Sequence, residues 1–263
     1  MDAKIVVRDL VHEYNDQYTG QRIRALDGLS LDVGDGEFLA VVGPSGCGKT
    51  TLLNILAGLV RPTAGTIRVD GHEVKGPGPD RGVVFQELAI LPWRTVARNI
   101  GHGLEIQGVE RRERERRVRQ FIELVGLEGF DHRYPHELSG GMKQRVALAR
   151  TLAANPVVML MDEPFSAVDA QTRITLQEEL NRIAIATRKT ILFITHNVEE
   201  AAFLGDRCCV LTRRPGRLKR VVKIPIPRER RVWESLGTDP EFTALREEVL
   251  NLVREEVRGS EKQ

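Results

Sequence analysis

The stretch EFLAVVGPSGCGKTTLLNILAGL, residues 37–59, decides the fold. It begins with a short apolar run, 37–42, which predicts a buried strand, and it ends in 51–59 with apolar residues at helical spacing. A glycine-rich loop, residues 43–50, joins the two. A strand that leads through such a loop into a helix is typical of α/β domains with a parallel sheet.

Two further apolar runs predict strands of the same sheet. PVVMLM, residues 156–161, leads to Asp162, and TILFIT, residues 190–195, leads to His196. Strands that alternate with helical patterns favour a mostly parallel sheet with helices on its faces. Because ligands of such sheets bind beyond the carboxyl ends of the strands, we expect Gly43, Asp162 and His196 to meet at one edge.

Between Pro92 and Arg150 the strand signal disappears. The run 109–127 mixes charges of both signs with apolar residues at helical spacing, namely Val118, Phe121, Ile122 and Val125. We therefore expect a helical lobe inserted into the sheet domain. Its charges predict a solvated helix face with pairs four residues apart rather than a nucleic-acid contact.

Two features follow the last of these strands. The segment VLTRRPGRLKRVVKIPIP, residues 210–227, predicts a hairpin that turns at Pro215-Gly216, and it is the most basic part of the chain. A helix is then predicted to begin at Pro240, with Asp239 as its N-cap. The apolar stripe of that helix would consist of Phe242, Leu245, Val249, Leu252 and Val253.

The composition limits the class of protein. With 39 basic and 37 acidic residues among 263, the net charge is only +2, which argues against a dedicated nucleic-acid binder. Cys47, Cys208 and Cys209 form no CxxC pair, so we expect reduced thiols. The N-terminus lacks a signal-peptide pattern, and the apolar runs are far shorter than the roughly 20 residues of a membrane span. We expect any membrane association to come through a partner protein.

The loop GPSGCGKT matches the pattern GxxxxGK[ST] in full. Its glycines allow backbone N–H groups to point at a polyphosphate, and the following helix N-terminus adds a favourable dipole. Lys49 would reach the β- and γ-phosphates, and the Thr50 hydroxyl would bind Mg²⁺. Cys47 occupies a variable position of the pattern, so we interpret it as a packing residue rather than a nucleophile. The candidate nucleotide-binding residues here are Gly43, Pro44, Ser45, Gly46, Cys47, Gly48, Lys49, Thr50 and Thr51.

Two adjacent acids stand at the end of the second strand. Asp162 is at the expected place for a carboxylate that holds Mg²⁺, directly or through water. Glu163 comes next and could polarise an attacking water molecule. Adjacent acids at a strand end are often only a solvated turn, but the phosphate loop upstream favours a functional role.

A nucleotide hydrolase needs no second glycine loop, yet HELSGGMKQRVALAR, residues 136–150, contains one at a predicted helix start. At this point the chain resembles the ATPase subunits of ATP-binding-cassette (ABC) transporters, from about Tyr14 to Arg217. LSGGMKQR resembles the signature loop of that family, and MDEPFSAVD resembles its Walker B segment with the catalytic glutamate and the D-loop. VVFQE places Gln86 at the Q-loop position, and TILFITH places His196 at the switch-histidine position.

The resemblance implies a P-loop NTPase fold of the RecA-like kind. Its mostly parallel core would carry an antiparallel β subdomain and an inserted α-helical subdomain. The implied divisions are an ATP-binding core of residues 1–90 and 151–225, a helical signature subdomain of residues 91–150, and a C-terminal helical tail of residues 226–263.

The resemblance also explains the second glycine loop. ATPase domains of the family pair head to tail, so that each ATP lies between the P-loop of one chain and the signature loop of the other. Ser139, Gly140 and Gly141 would then contact the γ-phosphate of ATP bound by a partner. A simple helix cap is the alternative interpretation of this loop.

Further roles rest on the same resemblance. Tyr14 would stack on adenine, with Tyr18 as a nearby alternative. Gln86 would bind Mg²⁺ and sense the γ-phosphate, and His196 would hold the attacking water while Glu163 acts as general base. The expected catalytic residues are Glu163, His196, Lys49 and Gln86, the expected metal ligands are Thr50, Gln86 and Asp162, and Asp169 would bridge the two subunits.

Local strings narrow the branch of the family. FQELAILPWRTVARNI, MDEPFSAVDAQTR and VLTRRPGR look like importer ATPases of the nitrate, sulfonate, taurine and bicarbonate group. Leu88, Val168 and Met142 depart from common residues of the family, but none is a proposed phosphate ligand. The match implies a second ATPase subunit, two membrane permease subunits, an external solute-binding protein and a peripheral position on the cytoplasmic side of the membrane.

Two other classes remain as alternatives from the sequence. One is a soluble ABC-type ATPase of DNA repair or translation, which would usually carry coiled coils, zinc modules or two tandem cassettes. The other is a P-loop kinase with one site per monomer, which leaves the signature loop, Gln86 and His196 without a role. For Leu91 and Trp93, a groove that receives a permease helix and internal packing of the lobe are both open.

Overall fold

The computed structural model describes residues 3–15 and 20–258. The strands are β1 (Ala3–Asn15), β2 (Arg22–Gly34), β3 (Phe38–Val42), β4 (Ala64–Val69), β5 (His72–Glu73), β6 (Arg81–Val84), β7 (Val158–Asp162), β8 (Thr190–Ile194), β9 (Arg207–Leu211) and β10 (Leu218–Lys223). The α-helices are α1 (Lys49–Leu56), α2 (Val96–Ile100), α3 (His102–Ile106), α4 (Arg111–Leu124), α5 (Gly140–Ala153), α6 (Ala170–Thr187), α7 (Val198–Leu204), α8 (Trp233–Leu236) and α9 (Pro240–Arg258), with short 3-10 turns at Pro135–Glu137 and Arg228–Arg230.

The core is a six-stranded sheet in the order β10-β9-β3-β8-β7-β6. Every neighbouring pair from β9 to β6 is parallel, and β10 alone joins antiparallel to β9. All residues of β3, β7 and β8 are buried because helices cover both faces, which is why these strands are continuous apolar runs in the sequence. The predicted mostly parallel sheet is confirmed.

A second, antiparallel sheet in the order β2-β1-β4-β5 packs against the core through α1. Sequence periodicity did not reveal β1 or β2, although each is 13 residues long. Their pairing register shifts at several points, and Asp9 takes a left-handed φ of 47° at one of them. Each bulge moves the following side chains to the opposite face and so breaks the alternation of polar and apolar residues.

Residues 96–153 contain helices alone as regular structure. The charged helix α4 buries Val118 and Ile122, and its arginines and glutamates are exposed or half-buried. Glu113 accepts hydrogen bonds from Arg116 at 2.7 Å and from Arg117 at 2.6 Å, and these lower its pKa to about 2. The predicted solvated face with short-range pairs is therefore confirmed.

The predicted hairpin and C-terminal helix are both present. Strands β9 and β10 flank a turn in which the Thr212 backbone N–H donates to the Arg217 carbonyl at 2.9 Å. Helix α9 begins at Pro240, and the Asp239 carboxylate accepts from the backbone N–H of Phe242 at 3.2 Å. Phe242 and Val249 are buried, so the predicted apolar stripe faces the core.

The segment before α9 is fixed to the core by a buried cation. Arg231 is buried and donates to the carbonyl oxygens of Phe203, Gly205 and Ile226 at 2.8–3.0 Å. Burial lowers its pKa to about 10. Trp233 stacks on the Phe203 ring with centroids 4.5 Å apart, so the tail and α7 form one packed unit. Across residues 3–15 and 20–258, no helix combines the length and apolar character that crossing a bilayer requires.

Candidate functional site

The glycine-rich loop follows β3 and ends where α1 begins, at the carboxyl edge of the parallel sheet. Gly48, the N-cap of α1, has a φ of +98°, a conformation that L side chains rarely adopt. A Cβ atom there would lie 2.7 Å from Leu26 Cδ2 and 2.9 Å from the Ala25 carbonyl oxygen. The loop shape therefore requires glycine at this position.

Lys49 is buried, and its ammonium group lies against the loop itself. Nζ donates to the carbonyl oxygens of Gly43 at 2.8 Å and Pro44 at 3.0 Å. Both of these acceptors are neutral backbone groups of the loop. An ammonium group in this position can make charge-assisted hydrogen bonds with an anion that enters the loop.

Cys47 packs beneath the loop. Its side chain is buried, its sulfur lies 3.8 Å from Lys49 Nζ, and burial raises the pKa of the thiol. A Cβ atom on Gly43 would come within 2.9 Å of Cys47 Sγ. The sulfur thus fills the space under the loop. Cys208 and Cys209 are also free and buried.

On the acidic side, Asp162 is the last residue of β7 and only 7% exposed. Burial raises its pKa, and the neighbouring Glu163 charge acts in the same direction. The Thr50 hydroxyl donates a hydrogen bond to Asp162, which together with the Lys49 charge opposes that rise. A hydroxyl and a carboxylate oxygen in contact at a phosphate loop fit Mg²⁺, which is usually held by one or two carboxylates together with substrate phosphates. No cluster of three or more His, Cys, Asp and Glu side chains suited to a metal occurs in the described chain.

Glu163 and His196 form a pair. His196 Nδ1 lies 2.8 Å from Glu163 Oε2, and the Glu163 backbone N–H donates to the Ile194 carbonyl at 2.9 Å. Glu163 has a φ of 44°, a strained conformation for a residue with a side chain. His196 does not follow β8 directly as expected, because β8 ends at Ile194 and Thr195 stands between them.

A cavity of about 300 Å³ opens at the loop. It is lined by Tyr14, Ile23, Ala25, Ser45, Gly46, Gly48, Lys49, Thr50, Thr51, Glu163 and Arg214. The Tyr14 hydroxyl lies 3.2 Å from Thr51 Oγ1, and the ring makes an edge contact with His12 at 4.5 Å between centroids. Tyr18, the alternative partner for adenine, lies outside the described residues.

Ile23, Ala25 and Arg214 line the cavity but were not among the residues expected from the sequence, and Arg214 is the charged one of the three. It belongs to the hairpin turn, which is fixed to β2 because the Gly216 N–H donates to the Ala25 carbonyl at 2.8 Å and the Asp27 N–H donates to the Gly216 carbonyl at 3.1 Å. A Cβ atom on Gly216 would lie 2.0 Å from the Cys47 carbonyl oxygen, so the turn also packs on the phosphate loop. The basic character of this turn was the available signal.

The other candidate residues lie outside this cavity. Ser139 is the exposed N-cap of α5 and accepts from the Met142 N–H at 3.3 Å. Asp169 is the exposed N-cap of α6, where hydrogen bonds from Thr172 lower its pKa. These two helix starts adjoin, because a Cβ atom on Gly141 would meet Thr172 Cγ2 at 2.8 Å. Gly140 is exposed beside them, and Gln86 is exposed two residues beyond β6.

A protein-family model matches more than half of the chain. Residues 26–166, which span the phosphate loop, Ser139 and Glu163, match the family described as "ABC transporter". The chain belongs to the ABC transporter family. It is the ATP-binding ATPase subunit of such a transporter.

Several relatives resemble this ABC ATPase over most of its length. An uncharacterized ABC transporter ATP-binding protein of Methanocaldococcus jannaschii is 52% identical over 264 residues, covering 100% of this chain and 96% of that protein. The nitrate import ATP-binding protein NrtD of a Synechocystis strain is 44% identical, covering 93% and 94%. The taurine import ATP-binding protein TauB of Rhizobium johnstonii is 47% identical, covering 88% and 89%.

A solved structure has the same fold. The ATP-binding cassette MJ0796, a dimer in a post-hydrolysis state bound to ADP and Pi, superposes with a TM-score of 0.73 at 30% identity, covering 85% of this chain and 100% of that one. The P-loop NTPase fold and the resemblance to nitrate and taurine importer ATPases are thereby confirmed.

Proposed function

We propose that this ABC ATPase drives the uptake of a small oxyanion such as nitrate, a sulfonate, taurine or bicarbonate. The relatives named for nitrate and taurine import, at 44% and 47% identity, support this substrate class. The chain itself would not contact the solute, because its work is the binding and hydrolysis of ATP.

Residues that line the cavity, and others around it, would share the binding and hydrolysis of ATP. The loop N–H groups of residues 43–50 and the Lys49 ammonium would bind the β- and γ-phosphates. Tyr14, which also lines the cavity, would stack on adenine. Glu163 would take the proton of the attacking water, held in orientation by His196 at 2.8 Å. Mg²⁺, bound through Thr50 and Asp162 with Gln86 as a further ligand, would neutralise charge on the phosphates.

One observation carries the proposal for a shared site: within one chain the signature residues Ser139, Gly140 and Gly141 do not line the cavity that contains Lys49. They are presented at the start of α5, next to Asp169 at the start of α6. A second copy in head-to-tail orientation would bring its own Ser139 and Gly141 to the γ-phosphate, with Asp169 at the seam. ATP would then close the dimer, most simply a homodimer.

The helical subdomain, residues 91–150, offers a docking place for the permease. Trp93 is 70% exposed, so internal packing does not account for it, whereas Leu91 is partly buried. A cleft of about 660 Å³ lies beside Trp93, between α2, α3 and α4. We propose that each of two permease subunits inserts a short helix into this cleft. These contacts would hold the ATPase at the cytoplasmic side of the membrane, and an external binding protein would deliver the solute to the transporter.

The ATP-binding core would comprise residues 1–90 and 151–225, and the C-terminal tail would comprise residues 226–263.

Affinity purification of the chain from detergent-solubilised membranes tests this function. We expect two integral membrane subunits to co-purify, and ATP hydrolysis by the reconstituted complex to be coupled to uptake of nitrate or taurine. Recovery of a chain that hydrolyses ATP but never associates with a membrane protein would contradict the importer assignment.

A further inference from the structure

Glu200 is a carboxylic acid of α7 that lies outside the nucleotide cavity and is nevertheless buried. It is only 4% exposed, and burial raises its pKa. A carboxylate in such a place costs folding free energy unless hydrogen bonds and opposite charges compensate it. The groups that surround Glu200 come from the loop after β8 and from α6, and each leads to a proposed catalytic loop or to the tail.

The first group is the hydroxyl of Thr195, the residue directly before His196. Thr195 Oγ1 donates to Glu200 Oε2 at 2.5 Å and accepts from the Asn197 backbone N–H at 3.0 Å. The Thr195 hydroxyl therefore makes hydrogen bonds that fix the backbone on both sides of His196, at Thr195 and at Asn197. The histidine side chain itself is exposed, so its orientation depends on this backbone.

The second group is Arg173 of α6. Its Nε lies 3.8 Å from Glu200 Oε1, and its Nη2 donates to the Val168 carbonyl at 3.1 Å. Val168 directly precedes Asp169, the residue proposed to stand at the dimer seam. Arg173 Nε makes no hydrogen bond with the described residues, so the Glu200 charge is what compensates it there.

The third group is Gln177, also on α6. Its side chain hydrogen-bonds the Glu200 carboxylate, and its Oε1 accepts from Trp233 Nε1 at 3.0 Å. This contact joins the tail to the same buried carboxylate.

We infer that Glu200 is a positioning residue for ATP hydrolysis, which holds the loop that carries His196 and links it to the loop that carries Asp169. The inference rests on the proposed catalytic role of His196. A shift of the Asp169 loop on dimer closure would move Arg173 and, through it, Glu200 and Thr195. The change at Thr195 would then align the His196–Glu163 pair with the nucleotide. Arg173, Glu200 and Thr195 do not line the nucleotide cavity, so we expect this route to affect hydrolysis rather than ATP affinity.

Glu200→Gln tests the inference, because it removes the charge and keeps the shape. We expect kcat for ATP hydrolysis to fall about tenfold while KM for ATP stays within about twofold, since hydrolysis geometry and not affinity is affected. Glu199→Gln is the matched control, because Glu199 is the adjacent residue of α7 and makes a surface pair with Arg246 at 3.0 Å. It should keep wild-type values. Equal kcat values for Glu200→Gln and wild type would overturn the inference, as would an equal loss in Glu199→Gln.

Two further variants separate positioning from folding. Thr195→Val, which keeps the shape and loses the hydroxyl, should reproduce the fall in kcat, whereas Thr195→Ser should retain wild-type kcat. Glu200→Gln combined with Arg173→Gln should be no slower than the slower single variant, because both act through one pair. Fully additive losses, or a Thr195→Val chain with wild-type kcat, would overturn the link. A wild-type chain without any ATP hydrolysis would instead contradict the proposed function.

Discussion

Replacement of Glu163 by glutamine separates ATP binding from ATP hydrolysis. The substituted side chain keeps the size of the glutamate, and its amide can still hydrogen-bond His196 Nδ1, which lies 2.8 Å from the native carboxylate. Because the pair is partly exposed and the new contact is neutral, the free energy of unfolding should change by no more than about 1 kcal/mol. Lys49 and the loop N–H groups are untouched, so affinity for ATP should be retained.

The chemical step, in contrast, loses its base. General-base catalysis contributes about 10²–10⁴ in rate, so kcat should fall by that factor, equivalent to about 3–5 kcal/mol in the barrier. Phosphate release measures the rate. Size-exclusion chromatography with light scattering should show the 29.5-kDa chain as a monomer without nucleotide and as a dimer with Mg²⁺-ATP.

Glu163→Asp is the matched control, because it keeps a carboxylate but withdraws it from His196 by one methylene. We expect its kcat to lie between those of wild type and Glu163→Gln. Turnover by Glu163→Gln at the wild-type rate would refute the assignment of Glu163 as base, and a monomer in saturating ATP would refute the coupling of ATP to dimer closure.

Three other predictions concern residues of the cavity and its acidic side. Lys49→Ala should weaken ATP binding at least about tenfold in equilibrium dialysis, since the phosphates lose a charged donor worth about 1.5–3 kcal/mol; unchanged affinity would contradict its role. Arg214→Ala should weaken ATP binding several-fold because its guanidinium lines the cavity, whereas Arg220→Ala, on the same hairpin but outside the cavity, should not; equal affinities would remove Arg214 from the site. Asp162→Asn should raise the Tm of the nucleotide-free chain at pH 7, because burial raises the pKa of Asp162 and its ionised form therefore destabilises the fold. This gain in Tm should shrink as the pH falls and wild-type Asp162 becomes protonated. A gain in Tm that grows at low pH would contradict the argument.

Sequence patterns sufficed for the parts of the fold that local chemistry determines. Strands β3, β7 and β8 are buried on both faces, so their sequences are unbroken apolar runs, and Asp239 with Pro240 marks the start of α9 directly. Strands β1 and β2 were not predicted from periodicity, because bulges break their alternation of polar and apolar residues. Their existence followed only from the resemblance to a family with an antiparallel subdomain.

The site divides in the same way. The phosphate loop is contiguous in sequence, and the positive φ values of Gly46 and Gly48, which L side chains rarely adopt, show why glycine is needed there. Arg214 reaches the cavity only because the hairpin turn packs on β2 and on Cys47, which no local pattern encodes. Glu200 likewise looks like any acid in the first turn of a helix, and only burial distinguishes it from Glu199.

The central claim is that each ATP is held between two chains, and a mixture of two inactive variants tests it most directly. Ser139→Arg should block the signature loop and Lys49→Ala the phosphate loop, so neither chain should hydrolyse ATP alone. Random pairing in an equal mixture gives half heterodimers, each with one intact site, so roughly a quarter of wild-type phosphate release should return. No recovery in a mixture whose chains bind one another, or wild-type hydrolysis by Ser139→Arg alone, would contradict the claim.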